Sequence, residues 1–193
     1  EHPGYRIGGS APELGMMVYK DLNGPDGKPD GIIDSWDQVI LEKNNNPVNF
    51  GWSIGGEWRG FSIDMMFNGY KKSFRNISDG VEWNRMYKGW YDDSWTPENP
   101  NAFLPKRSNR DKTYQNDSDY WLQDASFIRL KYLNIGYTVP RQLYSGVFDR
   151  VKLYVSGNNL FCWSHFKYWD PERKNGDSFP TMRSFNFGID VTF

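Results

Sequence analysis

Cysteine is all but missing: Cys162 is the only one in 193 residues. A disulfide framework and a cysteine metal cluster are therefore both excluded. Histidine is nearly as scarce. His2 and His165 are the only two, both sit in stretches that read as loops, and neither lies beside a nucleophile motif. Long apolar runs are missing too. No stretch approaches the ~18 residues of a membrane-spanning helix, and mean hydropathy is −0.77. That excludes a helical membrane protein. It leaves a β-barrel open, because alternating strands average to polar in any hydropathy window. Neither sign of charge dominates, with 23 Lys+Arg against 24 Asp+Glu, so no nucleic-acid partner is expected. No signal peptide opens the chain. Glu1-His2-Pro3-Gly4 reads as the inside of a loop, and the chain as part of a longer protein.

Aromatics, by contrast, are abundant, at 18% of the chain with nine Trp. That level fits interface girdles, sugar-stacking surfaces, or both. The last stretch orders the rest. From 185 to 193 the odd positions read Phe, Phe, Ile, Val, Phe, and from 184 to 192 the even ones read Ser, Asn, Gly, Asp, Thr. Strict period-two alternation predicts a strand with one apolar and one polar face. Lipid outside and a wet lumen inside would demand this pattern. The inward face of a soluble sandwich would also produce it.

Four more strands precede it. Phe50, Trp52, Ile54 and Trp58 share a face over 49–58, and Phe61, Ile63, Met65 and Phe67 share one over 61–70. Arg59-Gly60 is a two-residue hairpin turn between them. A third strand is predicted over 123–138, with Leu133, Ile135 and Tyr137 outward. In its first half that parity carries Arg129 and Lys131, so either the phase shifts or this half lies outside a lipid band. Pro140 stops the strand, and a helical turn at 141–144 follows. A fourth strand spans 150–162, with Val151, Leu153 and Val155 on one face and Cys162 as an apolar filler. The connections alternate short and long, which is the habit of outer-membrane barrels. Five strands cannot close such a barrel, so the missing strands must come from elsewhere.

Three loop features carry chemistry. The stretch 20–37 offers Asp21, Asn23, Asp26, Asp30, Asp34 and Asp37 as oxygen ligands for a structural calcium ion. Read from Asp26, a calcium loop falls on Asp26, Asp30, Gly31, Asp34 and Asp37, but Lys28 occupies its third position. Read from Asp21, it falls on Asp21, Asn23 and, one residue late, Asp26. A run of Asx turns that bind no ion fits the same residues. The very long connection 71–122 carries Trp83, Trp90, Tyr91 and Trp95 beside carboxylates, with a short helix expected at Glu82–Tyr87. The loop after the fourth strand carries Trp169. Aromatics beside carboxylates suit sugar rings, which stack on the rings and hydrogen-bond to the acids. These same aromatics would otherwise pack the loops against themselves.

Five segments, in order, resemble the SusC/RagA-type TonB-dependent outer-membrane transporters of the Bacteroidetes. They are Tyr19-Lys20-Asp21-Leu22-Asn23-Gly24 leading to Gly31-Ile32-Ile33-Asp34; Trp121 to Lys131 with Gly136-Tyr137-Thr138-Val139-Pro140; Tyr154 to Leu160; Trp169-Asp170-Pro171-Glu172; and Phe179 to Gly188. The end of the chain also resembles a C-terminal barrel-insertion signal, carried by Asn186, Gly188, Val191 and Phe193. The resemblance implies an all-β, antiparallel transmembrane barrel of roughly 22 strands, with this chain as its last five strands and long extracellular loops. Residues 1–193 would be the C-terminal part of the barrel, with the plug domain and a TonB box elsewhere. It further implies an integral outer-membrane importer, powered through TonB and lidded by a SusD-like surface lipoprotein, that moves oligosaccharides or peptides inward. One departure is the acidic loop, where Pro25 and Pro29-Asp30-Gly31 lengthen a run that the family keeps short.

The competing reading is a soluble, calcium-dependent carbohydrate-binding β-sandwich, with the odd faces as its core. An enzyme is not expected. A glycosidase needs two placed carboxylates, and Asp92, Asp93, Asp170 and Glu172 qualify by residue type only.

Overall fold

The computed structural model describes residues 6–7 (backbone only), 11–41, 46–78, 92–106, 117–144, 146–174, 176, 179 and 181–193. Its strands are β1 (Arg6–Ile7), β2 (Ile32–Ile33), β3 (Val48–Trp58), β4 (Phe61–Lys71), β5 (Phe74–Asn76), β6 (Leu122–Asp124), β7 (Phe127–Thr138), β8 (Arg150–Ser164) and β9 (Ser184–Thr192). The chain divides into two compact units. One comprises Glu1–Lys43 and Asn76–Leu122, the other Asn44–Arg75 and Gln123–Phe193.

The second unit is a meander. Its five strands run in the order β3-β4-β7-β8-β9, every neighbour antiparallel. Arg59 and Gly60 make the β3–β4 turn with φ of 48° and 86°, the both-positive pattern of a type I′ hairpin. Trp58 then pairs with Phe61, Ile54 with Met65 and Trp52 with Phe67, so the two apolar faces coincide. Across the sheet Phe61 meets Tyr137, Ile63 meets Ile135, and Leu153 meets Ile189. The expected strand limits hold to within two residues, except at one place. The third strand is not continuous from 123. It breaks at Ala125-Ser126, where buried Ala125 donates its N–H to Ser73 O at 2.7 Å. The three residues before the break, β6, pair with β5 instead.

The phase shift in this strand is a β-bulge. Met66 pairs with Tyr132, but the next residue of β4, Phe67, pairs with Leu130. Lys131 is the extra residue, and an extra residue exchanges the faces on either side of it. Leu133, Ile135 and Tyr137 lie on the apolar face, and beyond the bulge so do Leu130 and Ile128. Arg129 is thereby moved to the polar face. β8 answers with its own irregularity at Asn159, whose φ of 54° is tolerated by Asn.

The apolar face of the sheet is not covered by any element among the described residues. Phe185, Phe187 and Ile189 are 61%, 80% and 66% exposed. Aromatics gather at its two ends. Trp58, Phe61 and Tyr137 stand beside the hairpin turn, with Phe61 and Tyr137 rings 4.6 Å apart. Phe50, Trp52 and Phe67 form a stacked row at the loop end, joined by the stacked pair Phe161–Trp163. Between them lie Ile54, Ile63, Met65, Leu133, Ile135, Leu153 and Val155. Eight residue steps separate Trp58 from Phe50. That is about 27 Å along a strand, or about 20 Å across a bilayer at a tilt near 40°.

The opposite face is polar, with Ser62, Asp64, Asn134, Ser156, Asn186 and Asp190. Cys162 pairs with Arg129 on this face and is exposed, so it is not the buried filler expected. Tyr154 lies flat on Gly188: a Cβ built there would come 2.3 Å from the ring. β9 pairs with β8 alone, and the outer sides of β3 and β9 carry no strand among the described residues.

Gly188→Val should lower stability to urea by about 1–3 kcal/mol, because the new methyls must displace the Tyr154 ring. Gly56→Val, where a built Cβ meets nothing within 4 Å, should cost well under that in the same titration.

Candidate functional site

The bulge creates a charged cluster at the loop end of the polar face. Arg129 is 3% exposed. Its Nη2 lies 2.5 Å from Asp170 Oδ1, and its Nε lies 3.1 Å from Glu172 Oε2. Lys131, the bulged residue, places its Nζ 3.2 Å from Glu172 Oε1. Asn68 Nδ2 reaches the same oxygen at 3.4 Å. One turn further along, Arg75 Nε donates to Arg173 O at 2.6 Å. Every one of these partners belongs to 170–173, the turn that opens the loop between β8 and β9. Asp170 also takes the Glu172 N–H at 3.0 Å. Burial pushes its carboxyl up, but hydrogen bonds from Thr181 and the Glu172 N–H, together with Arg129, outweigh that and hold it below the ordinary value. Trp169 sits in the same turn, its ring edge-on to Phe166 with centroids 5.0 Å apart. Of the expected loop aromatics, then, Trp169 is a packed member of an anchored turn. The two acids considered for hydrolysis here are ion-paired to fixed cations.

Trp95 lies in the other unit. Its ring covers Gly15, where a built Cβ would come 2.4 Å from it. Trp95 N–H donates to Leu104 O at 2.8 Å, and Lys106 N–H to Gly15 O at 2.6 Å. Trp95, Met16, Phe103 and Tyr120 line a groove of about 370 Å³. Phe103 and Tyr120 are stacked within 13° at 5.0 Å. Burial, and then Asp93, raise the Tyr120 hydroxyl above its ordinary value, so it stays a donor at neutral pH. Phe103 belongs to this groove and was not expected in any site. Its only signal in the sequence was its place in an aromatic-rich connection. Trp83, Trp90, Tyr91 and the helix expected at Glu82–Tyr87 lie outside the described residues.

The acidic loop folds in a register that neither sequence reading found. Gly27 N–H closes a turn onto Gly24 O at 2.9 Å, and Asp30 Oδ2 returns to the side of Gly24. With 25–29 looped out, the order becomes Asp21, Asn23, Asp30, Gly31, Asp34, Asp37. Gly31 has φ of 85° and donates its N–H to Asp21 Oδ2 at 2.5 Å. The remaining carboxylates also turn to the main chain. Asp37 Oδ1 accepts from Leu22 and Asn23 at 2.7 and 3.1 Å, its Oδ2 accepts from Asp34 at 2.9 Å, and Asp34 Oδ1 accepts from Trp36 at 2.8 Å. Slight burial pushes the Asp37 carboxyl up, and these N–H groups with Asp21 outweigh it and hold it below its ordinary value. Asp21 Oδ1 is buried without a partner, one oxygen where calcium takes six to eight. Among the described residues no three acids converge on a common point. These carboxylate oxygens accept from main-chain N–H groups.

Arg129→Ala should cost about 2–4 kcal/mol and open 165–183 to proteolysis, since it leaves two acids beside the sheet without their cation. Arg129→Lys should restore little, because only the guanidinium fork reaches both acids. The folded-state shift of Asp170 is downward, so its contribution is present above the ordinary carboxylate value and lost as pH falls. Proteolysis of the loop should therefore rise below about pH 4, and Asp170→Asn should flatten that dependence.

Comparison with known proteins places this geometry. No family model matches the chain. TonB-dependent receptor P3 of Formosa agariphila is 30% identical over 100% of the chain and 21% of its own length. TonB-dependent receptor SusC of Bacteroides thetaiotaomicron is 26% identical over 92% of the chain and 19% of its own. Among solved structures, the RagAB peptide importer in its closed-closed state superposes with a TM-score of 0.65 at 23% identity, over 88% of the chain and 20% of that chain. The chain spans about a fifth of the length of the curated relatives it matches. Along its whole length the sequence is similar to TonB-dependent receptors, SusC among them, and along most of it the fold is that of the RagAB importer's barrel chain.

Proposed function

We propose that the chain is the C-terminal part of the wall of an outer-membrane importer that moves oligosaccharides or peptides into the periplasm. Energy comes through TonB, and a SusD-like lipoprotein closes the outer side. The protein binds and passes its cargo without altering it. One observation supports this most: five strands form a layer whose apolar face, banded by aromatics, is uncovered among the described residues, while its other face is polar. Lipid fits the first face and a water-filled lumen the second. The hairpin turn and Phe193 lie at one end of the sheet, where the periplasm would be. The loops that carry Trp95 and Trp169 leave from the other, where the lipoprotein would sit. The Trp95–Phe103–Tyr120 groove is the part suited to stack a sugar ring or an aromatic side chain. The soluble sandwich gains no support, because a sandwich needs a second sheet on the apolar face.

The neighbouring residues Asn186 and Phe187 separate these readings. In the full receptor, Phe187→Arg should cost about 2–4 kcal/mol and reduce the folded, heat-modifiable band in outer-membrane fractions. Asn186→Arg, on the lumen side, should leave that band unchanged. Equal tolerance of both would contradict the assignment of faces. Uptake is checked with labelled oligosaccharide and peptide pools in cells with and without the receptor gene. Loss of one pool names the cargo, and loss of neither contradicts an importer.

A further inference from the structure

We infer that the loop-end rim of the apolar face holds a docking groove for the phosphate-bearing headgroup of a membrane lipid. The inference rests on the outer-membrane reading above. The groove, of about 610 Å³, crosses β3, β4, β7 and β8. Register puts Phe50, Ile128 and Trp163 at one level: Phe50 faces Gly69, Gly69 faces Ile128, and Ile128 faces Trp163. The next level along, Tyr70, Phe127 and Ser164, belongs to the polar face. At or just past these strand ends, Lys71, Ser126 and His165 line the same groove. The groove therefore has an aromatic and aliphatic floor and a rim of hydrogen-bond donors just beyond it.

On the polar face Arg129 and Lys131 pair with Asp170 and Glu172, and Arg150 with Asp190, while Lys152 has no ion-pair partner among the described residues. Lys71 is exposed, with no ion-pair partner among the described residues. None of the residues lining the groove is acidic. An ammonium, a hydroxyl and an imidazole N–H set together suit phosphate oxygens. Aromatics beside them are what the headgroup level of a bilayer takes. A free anion would use the rim and ignore the floor, whereas a phosphorylated lipid would use both.

The test uses the full receptor, purified in neutral detergent and offered phosphatidic acid or the matching diacylglycerol, with bound lipid counted by native mass spectrometry. The wild type should retain phosphatidic acid and not diacylglycerol. Lys71→Gln with His165→Gln should cut retention about fivefold, the size expected for losing one cationic contact at an anionic surface. Lys71→Arg should keep it. Equal retention by wild type and double variant, both running as folded barrels, overturns the lipid site alone. Displacement of the lipid by millimolar inorganic phosphate also overturns it, in favour of a simple anion site. Recovery of the receptor from the soluble fraction overturns the membrane reading, and the lipid site with it.

Discussion

A buried guanidinium on the polar side of a one-layer sheet, paired to two carboxylates of a loop, is what this structure turns on. Arg129 has the wrong parity to be there. In an unbroken strand it would share a face with Leu133 and Ile135, where a charge costs several kcal/mol in hydrocarbon. The extra residue at Lys131 moves it to the other face. The bulged lysine then joins the same cluster. One backbone irregularity thus protects the apolar face and builds the anchor.

The anchor governs what the loop can do. The connection between β8 and β9 is long, and long connections cost little entropy to lengthen but order themselves only through specific contacts. Here the contacts sit at its first turn, through Arg129, Lys131, Asn68 and Arg75. The cluster pins the loop where it leaves the sheet, over the polar side. The turn at Trp169 is thereby a fixed point on the polar side of the sheet. The ion pairs hold this turn in place.

Much of this was legible in the sequence because period-two patterning survives intact in strands with one greasy side. β9 could be read residue by residue, and the Arg59-Gly60 turn fixed the β3–β4 register. The slip in β7 was visible as a conflict of parity at Arg129 and Lys131. Its resolution was not, because a bulge and a change of depth give the same string. The break at Ala125-Ser126 was hidden because both halves favour strand, and only the hydrogen bond to Ser73 separates them. The register of the acidic loop was hidden for a different reason: five looped-out residues bring Asp30 beside Gly24, and spacing rules carry no signal for loops that close on themselves. The roles of Asp170 and Glu172 depended on which way Arg129 pointed, which followed from the bulge.

The central claim is that one side of this sheet meets lipid and that the assignment slips at Lys131. It is tested most directly by single cysteines placed along β7 and β9 of the full receptor in native membranes, with Cys162 replaced by Ser. Each site is spin-labelled and its relaxation by oxygen compared with relaxation by a water-soluble nickel chelate. On β9 the odd sites 185–191 should favour oxygen and the even sites the chelate. On β7, sites 133, 135 and 137 should favour oxygen, and beyond the bulge sites 130 and 128 should do so in place of 129. Uniform exposure to the chelate on both parities, or alternation that runs through Lys131 without a slip, would contradict the account.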